Sequence, residues 1–176
     1  YNDNIWISMA AWNDVPNLHR AIQSIQSQVF SFKNVHLVVY EDVSDEMLGV
    51  EKYARYPNVI FLESENKQQQ GAAYAKWRLF EYIRNHADLD DYVMIVDGDD
   101  QLADDLVLSE VRQSLMKHKP WFAWGKINGK HSDQCGPMLH PMSLLRHVKW
   151  FVCHPRIFKA HLLHRLKAKD FQRDDG

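Results

Sequence analysis

The chain has 176 residues, 45% of them hydrophobic and 25% charged, with a formal net charge of −2; this is the composition of one globular domain able to bury a full core. That balance excludes a strongly basic nucleic-acid binder, so no nucleic-acid partner is expected. No run is long and apolar enough to span a bilayer, and no secretory signal is visible. Cys135 and Cys153 match neither a disulfide framework nor a zinc spacing, and a cytoplasmic setting is the expectation. Because the chain begins at Tyr1, membrane association through regions outside it stays open.

Strand and helix patterns alternate, which predicts βαβ units around a mostly parallel sheet. Ile5 to Ala10 reads as the first strand. Asp14 caps a helix with Pro16 in its first turn and an apolar stripe of Leu18, Ala21, Ile22 and Ile25. Val35 to Tyr40 and Val59 to Leu62 read as the next two strands. Gly71 to His86 reads as a helix whose Ala75, Leu79, Tyr82 and Ile83 share a face. Tyr92 to Val96 is a short apolar run bounded by polar residues, the pattern of a strand buried on both faces. Asp104 or Asp105 is expected to cap another helix, with Leu108, Val111 and Leu115 inward. A strand over Trp121 to Ile127, a loop over Asn128 to Pro141 and a final amphipathic helix over Ile157 to Lys167 complete the chain.

The most informative segment is Asp97-Gly98-Asp99-Asp100, directly after the strand at Tyr92. Ligands of open α/β sheets bind beyond the carboxyl ends of the strands, and clustered carboxylates there repel unless a cation or hydrogen-bonding ligand compensates them. If the segment stays extended, Asp97 and Asp99 face one side, and Gly98 lets backbone or a phosphate approach. Oxygen-only donors suit Mg²⁺ or Mn²⁺. The competing reading is a plain Asp-Gly turn. Trp12-Asn13 follows the first strand, where the ring can stack on a nucleobase and the amide can fix the loop. Glu41-Asp42 follows the second, where a carboxylate can accept from a base or ribose. Eight aspartates crowd residues 88–105, whereas Gln134 to Lys169 holds no acidic residue, a basic half that could face phosphates.

These positions together resemble family 2 glycosyltransferases of the GT-A fold. The resemblance rests on Trp12-Asn13, on Ser24-x-x-x-Gln28 at the end of the first helix, and on Glu41-Asp42-Val43-Ser44. It continues through Gly71-Ala72-Ala73-Tyr74-Ala75-Lys76 to Asp97-Gly98-Asp99 as the DxD element, in register over residues 4 to 127. It implies an α/β fold of GT-A (Rossmann-like) type, a three-layer αβα sandwich with a mostly parallel central sheet. Residues 1–100 would be the nucleotide-sugar-binding half and residues 101–176 the acceptor side of a single catalytic domain.

The resemblance further implies that Ala10, Trp12 and Asp42 surround the base of a nucleoside-diphosphate sugar, with a UDP-sugar first in line. Lys76 would lie near base or diphosphate, Asp97 near ribose or metal, Asp99 on the metal, and Asp100 beside the nucleotide. The implied cofactor is Mn²⁺ or Mg²⁺, and the implied acceptor is a hydroxyl of a glycan, a lipid-linked saccharide or a protein. His154 is similar in place to a late histidine that approaches the metal or diphosphate, with His140 as competitor. Asp174 and Asp175 are the candidates for the base of an inverting displacement. The chain departs from the family in Trp12 for tyrosine, Val43 for glycine, and Lys76-Trp77 for an Arg-Asn pair. Two other readings compete. One is a non-catalytic nucleotide-sugar or glycan-binding module of degenerate transferase type. The other is a haloacid-dehalogenase-like phosphatase, which wants its Asp-x-Asp on the first strand with Thr or Ser where Gln101 stands.

Overall fold

A computed structural model describes residues 4–29, 34–45, 50–53, 56, 58–65, 67–125 and 153–171. The expected loop over Asn128 to Pro141, His140, Asp174 and Asp175 lie outside the described residues. Six strands form one sheet: β1 (Ile5–Ala11), β2 (Val35–Glu41), β3 (Val59–Leu62), β4 (Tyr92–Ile95), β5 (Phe122–Gly125) and β6 (Cys153–Lys159). Their order is β3-β2-β1-β4-β6-β5. The first four are parallel neighbours, and β6 runs antiparallel between β4 and β5. Among the described residues, three α-helices accompany them: α1 (Val15–Gln26), α2 (Ala72–His86) and α3 (Val107–His118).

The central strands are apolar at consecutive positions because both their faces are covered. The two-residue period sends Ile5, Ile7 and Met9 of β1, Val35, Leu37 and Val39 of β2, and Tyr92 and Met94 of β4 to one side. There they meet Leu18, Ala21, Ile22 and Ile25 of α1 and Leu108 and Leu115 of α3. Trp6, Val38, Tyr40 and Val93 point to the other side, against Ala75, Leu79, Phe80 and Ile83 of α2. The result is a three-layer α/β sandwich with two cores. On α2 the fully buried stripe is Ala75, Leu79, Phe80 and Ile83; Tyr82 packs against the same core while partly exposed and also stacks on His86 at 4.0 Å between ring centres.

Two expected elements are corrected. The helix over Ile157 to Lys167 is not formed: residues 157–159 end β6, and Ala160–Arg165 is a 3₁₀ segment. Ile157 reaches one core and Phe158 the other, because Tyr92 pairs with Lys159 and Ile95 with Arg156 across an antiparallel ladder. A place in the sheet was open between β4 and β5, and pairing there outweighs the local helical spacing. The start of α3 also differs. Its N-cap position is Leu106, which supplies no capping side chain. Asp104 instead accepts from the Leu106 amide at 2.8 Å through Oδ1.

Candidate nucleotide-binding cleft

Strand order reverses direction between β1 and β4: β2 and β3 continue to one side of β1, whereas β4 lies on the other. In open α/β sheets such a switch point leaves a crevice at the strands' carboxyl ends. Here a cleft of about 210 Å³ opens at that place, lined by Ala10, Ala11, Trp12, Asp14, Gly98 and Asp99. Residues from the ends of two strands more than eighty positions apart thus meet in one depression.

The floor is set by Gly98. Its amide donates to the Ala10 carbonyl at 3.0 Å, and a Cβ added there would lie 2.8 Å from both Ala10 O and Ala11 Cβ. Only glycine allows the turn to sit this close to β1. Asp97 to Asp100 is a turn, with Asp100 N donating to Asp97 O at 3.0 Å, and not the extended segment expected. Asp97 and Asp99 therefore do not share a strand face. Asp97 is partly buried, and its Oδ1 lies 3.9 Å from Lys76 Nζ. Asp99 and Asp100 are exposed, and Asp99 lines the cleft.

The opposite lip is the β1–α1 loop. Asp14 caps α1, accepting from Asn17 N at 3.3 Å and Asn17 Nδ2 at 2.6 Å. Asn13 adopts φ of +48°, the left-handed region that asparagine tolerates. Its amide N–H donates to Ser44 Oγ at 2.9 Å, its Nδ2 donates to Asp45 Oδ2 at 2.9 Å, and Asp45 N donates to its Oδ1 at 2.7 Å. This clasp ties the loops after β1 and β2 together and leaves the Trp12 ring half exposed, at 50%. Sequence reading placed Asn13 as the loop's anchor but missed Ser44 and Asp45 as its partners.

Asp42 is 2% exposed. Its carboxylate accepts from Gln70 N at 3.1 Å and from Gly71 N within hydrogen-bond reach, at 2.6 Å. It therefore fastens the start of α2 to the end of β2, directly where Gly71 takes φ of +90°. Val43 beside it takes φ of +53°. A β-branched residue is strained in that region, and this is the position where the resembled family carries glycine. Along α2, Lys76 faces Asp97, whereas the next residue, Trp77, turns away to pack on Phe171 at 5.5 Å between rings. His154 lies on β6, two residues before the Arg156 that pairs with Ile95. That strand carries it toward the same end of β4 as Asp97.

Among the described residues, no three His, Cys, Asp or Glu side chains gather into a metal cage. Asp97 and Asp99 belong to one turn and each offers carboxylate oxygens only. Such a set fits Mg²⁺ or Mn²⁺, which are held by one or two carboxylates with water and ligand phosphates completing the shell.

A mostly parallel sheet between layers of helices, with a cleft at the β1/β4 switch point and carboxylates at its edge, is an α/β domain of the GT-A type. The chain matches glycosyl transferase family 2 over residues 6–165 and belongs to that family. Among solved structures it is similar to S. aureus TarS in complex with UDP-GlcNAc, at 17% identity and a TM-score of 0.68, covering 92% of this chain and 47% of that one. It is also similar to the mannosyltransferase PcManGT from Pyrobaculum calidifontis in complex with GDP-Man and Mn²⁺, at 18% identity and a TM-score of 0.65, covering 94% and 47%. A 4-diphosphocytidyl-2C-methyl-D-erythritol synthase matches at 14% identity and a TM-score of 0.57, covering 96% of this chain and 83% of that one. The chain spans about half the length of the glycosyltransferases it matches. No curated protein matches it. Membership of this family, with the aspartates after the fourth strand, sets the phosphatase reading aside.

Proposed function

We propose that this chain is the nucleotide-sugar-binding, catalytic part of a metal-dependent, inverting glycosyltransferase. The observation that carries the reading is the cleft at the β1/β4 switch point, where Trp12 and Asp99 stand on opposite lips. An exposed indole offers a face for stacking a base, and the Asp97–Asp99 turn offers anionic oxygens for a cation that accompanies a diphosphate. Support also comes from the family and from neighbours whose complexes hold UDP, UDP-GlcNAc, or GDP-Man with Mn²⁺. A UDP-sugar is the first donor to test.

In this reading Ala10 and Trp12 border the base, and Asp42 shapes its pocket by holding the loop before α2. Lys76 and Asp97 face the ribose and diphosphate, Asp99 holds the metal, and Asp100 and His154 lie beside the diphosphate. When bound, Mn²⁺ or Mg²⁺ supplies positive charge to the departing diphosphate. The acceptor hydroxyl, on a glycan, a lipid-linked saccharide or a protein, attacks the anomeric carbon from the side opposite the leaving group. A carboxylate, Asp174 or Asp175, takes its proton. Residues 1–100 serve the donor and residues 101–176 the acceptor.

The expected outcome for Asp99→Ala is loss of Mn²⁺-dependent UDP binding in calorimetry with an unchanged thermal midpoint. Unchanged affinity in that variant, for UDP and for GDP, defeats the proposal. Metal-dependent binding by the full-length protein without sugar transfer to any acceptor would leave only the non-catalytic module.

A further inference from the structure

Ser24 and Gln28 do not line the cleft, yet both side chains bond to the segment that follows the aspartate turn as well as to the end of α1. Gln28 is only 6% exposed. Its Nε2 donates to Ser24 O at 3.0 Å and to Asp104 O at 2.5 Å, and its Oε1 accepts from Leu108 N at 2.9 Å. Ser24 Oγ donates to Ala21 O at 2.7 Å and accepts from Leu102 N at 3.1 Å. Val29 N adds a bond to Asp105 O at 2.8 Å.

A helix leaves its first amides and last carbonyls without internal partners. Leu106, the N-cap position of α3, has no side-chain acceptor to offer. Gln28 fills that role from eighty residues away, capping α3 in trans while its amide closes the last turn of α1. The stretch from Gly98 to Leu108 is thereby held at both ends. Gly98 N is pinned to Ala10 of β1, and Leu102, Asp104 and Leu108 are pinned to the end of α1. Asp99 and Asp100 lie inside that span, exposed, so their position depends on where its two ends are fixed.

We infer that Ser24 and Gln28 are positioning residues, which aim the Asp97–Asp100 turn by anchoring the chain immediately beyond it. This rests on the proposed function, because it gives the anchored turn a metal-diphosphate to hold. The physical reason is preorganisation: a turn already fixed loses little freedom on binding, whereas a loose one must be ordered by the ligand. A nucleoside, which lacks the diphosphate and needs no metal, makes no demand on Asp99 and Asp100 and meets the turn only through its ribose at Asp97, the residue nearest the end of β4.

The test uses the full-length protein with Gln28→Met, Ser24→Ala and Ser24→Thr. Calorimetry measures affinity for UDP with Mn²⁺ and for uridine without metal, with GDP and guanosine as the second pair. Gln28→Met is expected to weaken Mn²⁺-UDP by about tenfold while uridine changes by less than about twofold. Ser24→Ala is expected to show a smaller loss of the same kind, and Ser24→Thr, which keeps the hydroxyl, to restore it. If Gln28→Met does not fold, Ser24→Ala still decides, since it removes one hydroxyl at a partly exposed site. Equal losses for both ligands, or unchanged Mn²⁺-UDP affinity in the alanine variant, overturn the inference. If the wild type binds neither UDP nor GDP with Mn²⁺, it is the proposed function that fails. Amide exchange then judges the anchoring separately. Faster exchange confined to residues 98–108 in the variants upholds it, and uniform or unchanged exchange overturns it.

Discussion

The two ends of β4 carry the same residue type and use it in opposite ways. At the amino end, Asp91 is 2% exposed and its carboxylate accepts from Asn4 N at 2.8 Å, Trp6 Nε1 at 2.9 Å and Asp88 N at 3.0 Å. Lys159 sits beside it with its ammonium 3.8 Å from the centre of the Tyr92 ring, and its Nζ donates to Asp90 O. At the carboxyl end, Asp99 is exposed and lines an open cleft. A carboxylate surrounded by protein donors serves the fold, whereas one turned to an open crevice is available to a ligand. The acidic crowding of residues 88–105 is therefore two sites with a buried strand between them, and only one faces the cleft. The basic stretch divides the same way: Lys159 belongs to the amino end, away from any phosphate in the cleft.

The strongest test of this division is Asp91→Ala. Removing this buried carboxylate strands the donors Asn4 N, Asn4 Nδ2, Trp6 Nε1 and Asp88 N, which is expected to lower unfolding stability by about 3 kcal/mol, read by urea denaturation. Mn²⁺-dependent UDP affinity should persist in the folded fraction. A loss of affinity at unchanged stability would erase the distinction between the two ends.

A smaller effect of opposite sign is expected at the cleft end, where strain is stored. Val43→Gly relieves a β-branched residue at φ of +53°, against the extra chain entropy of glycine in the unfolded state. A net gain of roughly 0.5–1 kcal/mol is expected. A loss of stability in that variant would mean that contacts of the valine side chain outweigh the strain.

The smallest effect concerns pH at the amino end. His36 stacks on Trp6 at 4.2 Å between ring centres. Burial holds its imidazole below the ordinary histidine value, with the Asp91 charge pulling the other way. The unfolded chain thus binds this proton more readily than the folded one. The stability due to neutral His36 is present above about pH 6.5 and is lost as pH falls through the lower folded value. His36→Phe should accordingly lose less stability than wild type between pH 7 and pH 5. An identical slope for the two proteins would show that His36 does not contribute.

Much of the fold was legible because its elements announce themselves locally. The stripe of Leu18, Ala21, Ile22 and Ile25 on α1 is the buried face observed. The run at Val59–Leu62 is the third strand, residue for residue. The run at Tyr92 reads as buried on both faces, and it is. Where reading failed, the deciding partner lay far along the chain. Residues 157–159 joined β6 because β4 and β5 left a place between them. Asp104 and Asp105 do not cap α3: its Leu108 amide donates to Gln28, and Asp104 accepts from Leu106 N. The positions of Trp12, Asn13, Asp42, Asp97 and Asp99 stood out by their order after successive strands, and Lys76 through the resemblance to family 2 glycosyltransferases. Which atoms hold them was not readable, since the partners Ser44, Asp45, Gln70 and Gly71 come from loops that only the folded sheet brings together.

By itself the sequence determined the succession of buried strands and amphipathic helices, and with it the end of the sheet where the candidate site lies. The cause is that hydrophobic period and capping residues act over a few positions. Only the tertiary structure decided that Asp97-Gly98-Asp99-Asp100 is a turn pressed against β1, that Asp91 and Asp99 are set at opposite ends of β4, and that Gln28 joins two helices. Those outcomes depend on hydrogen bonds between residues as many as 87 positions apart, whose geometry exists only once the sheet has formed.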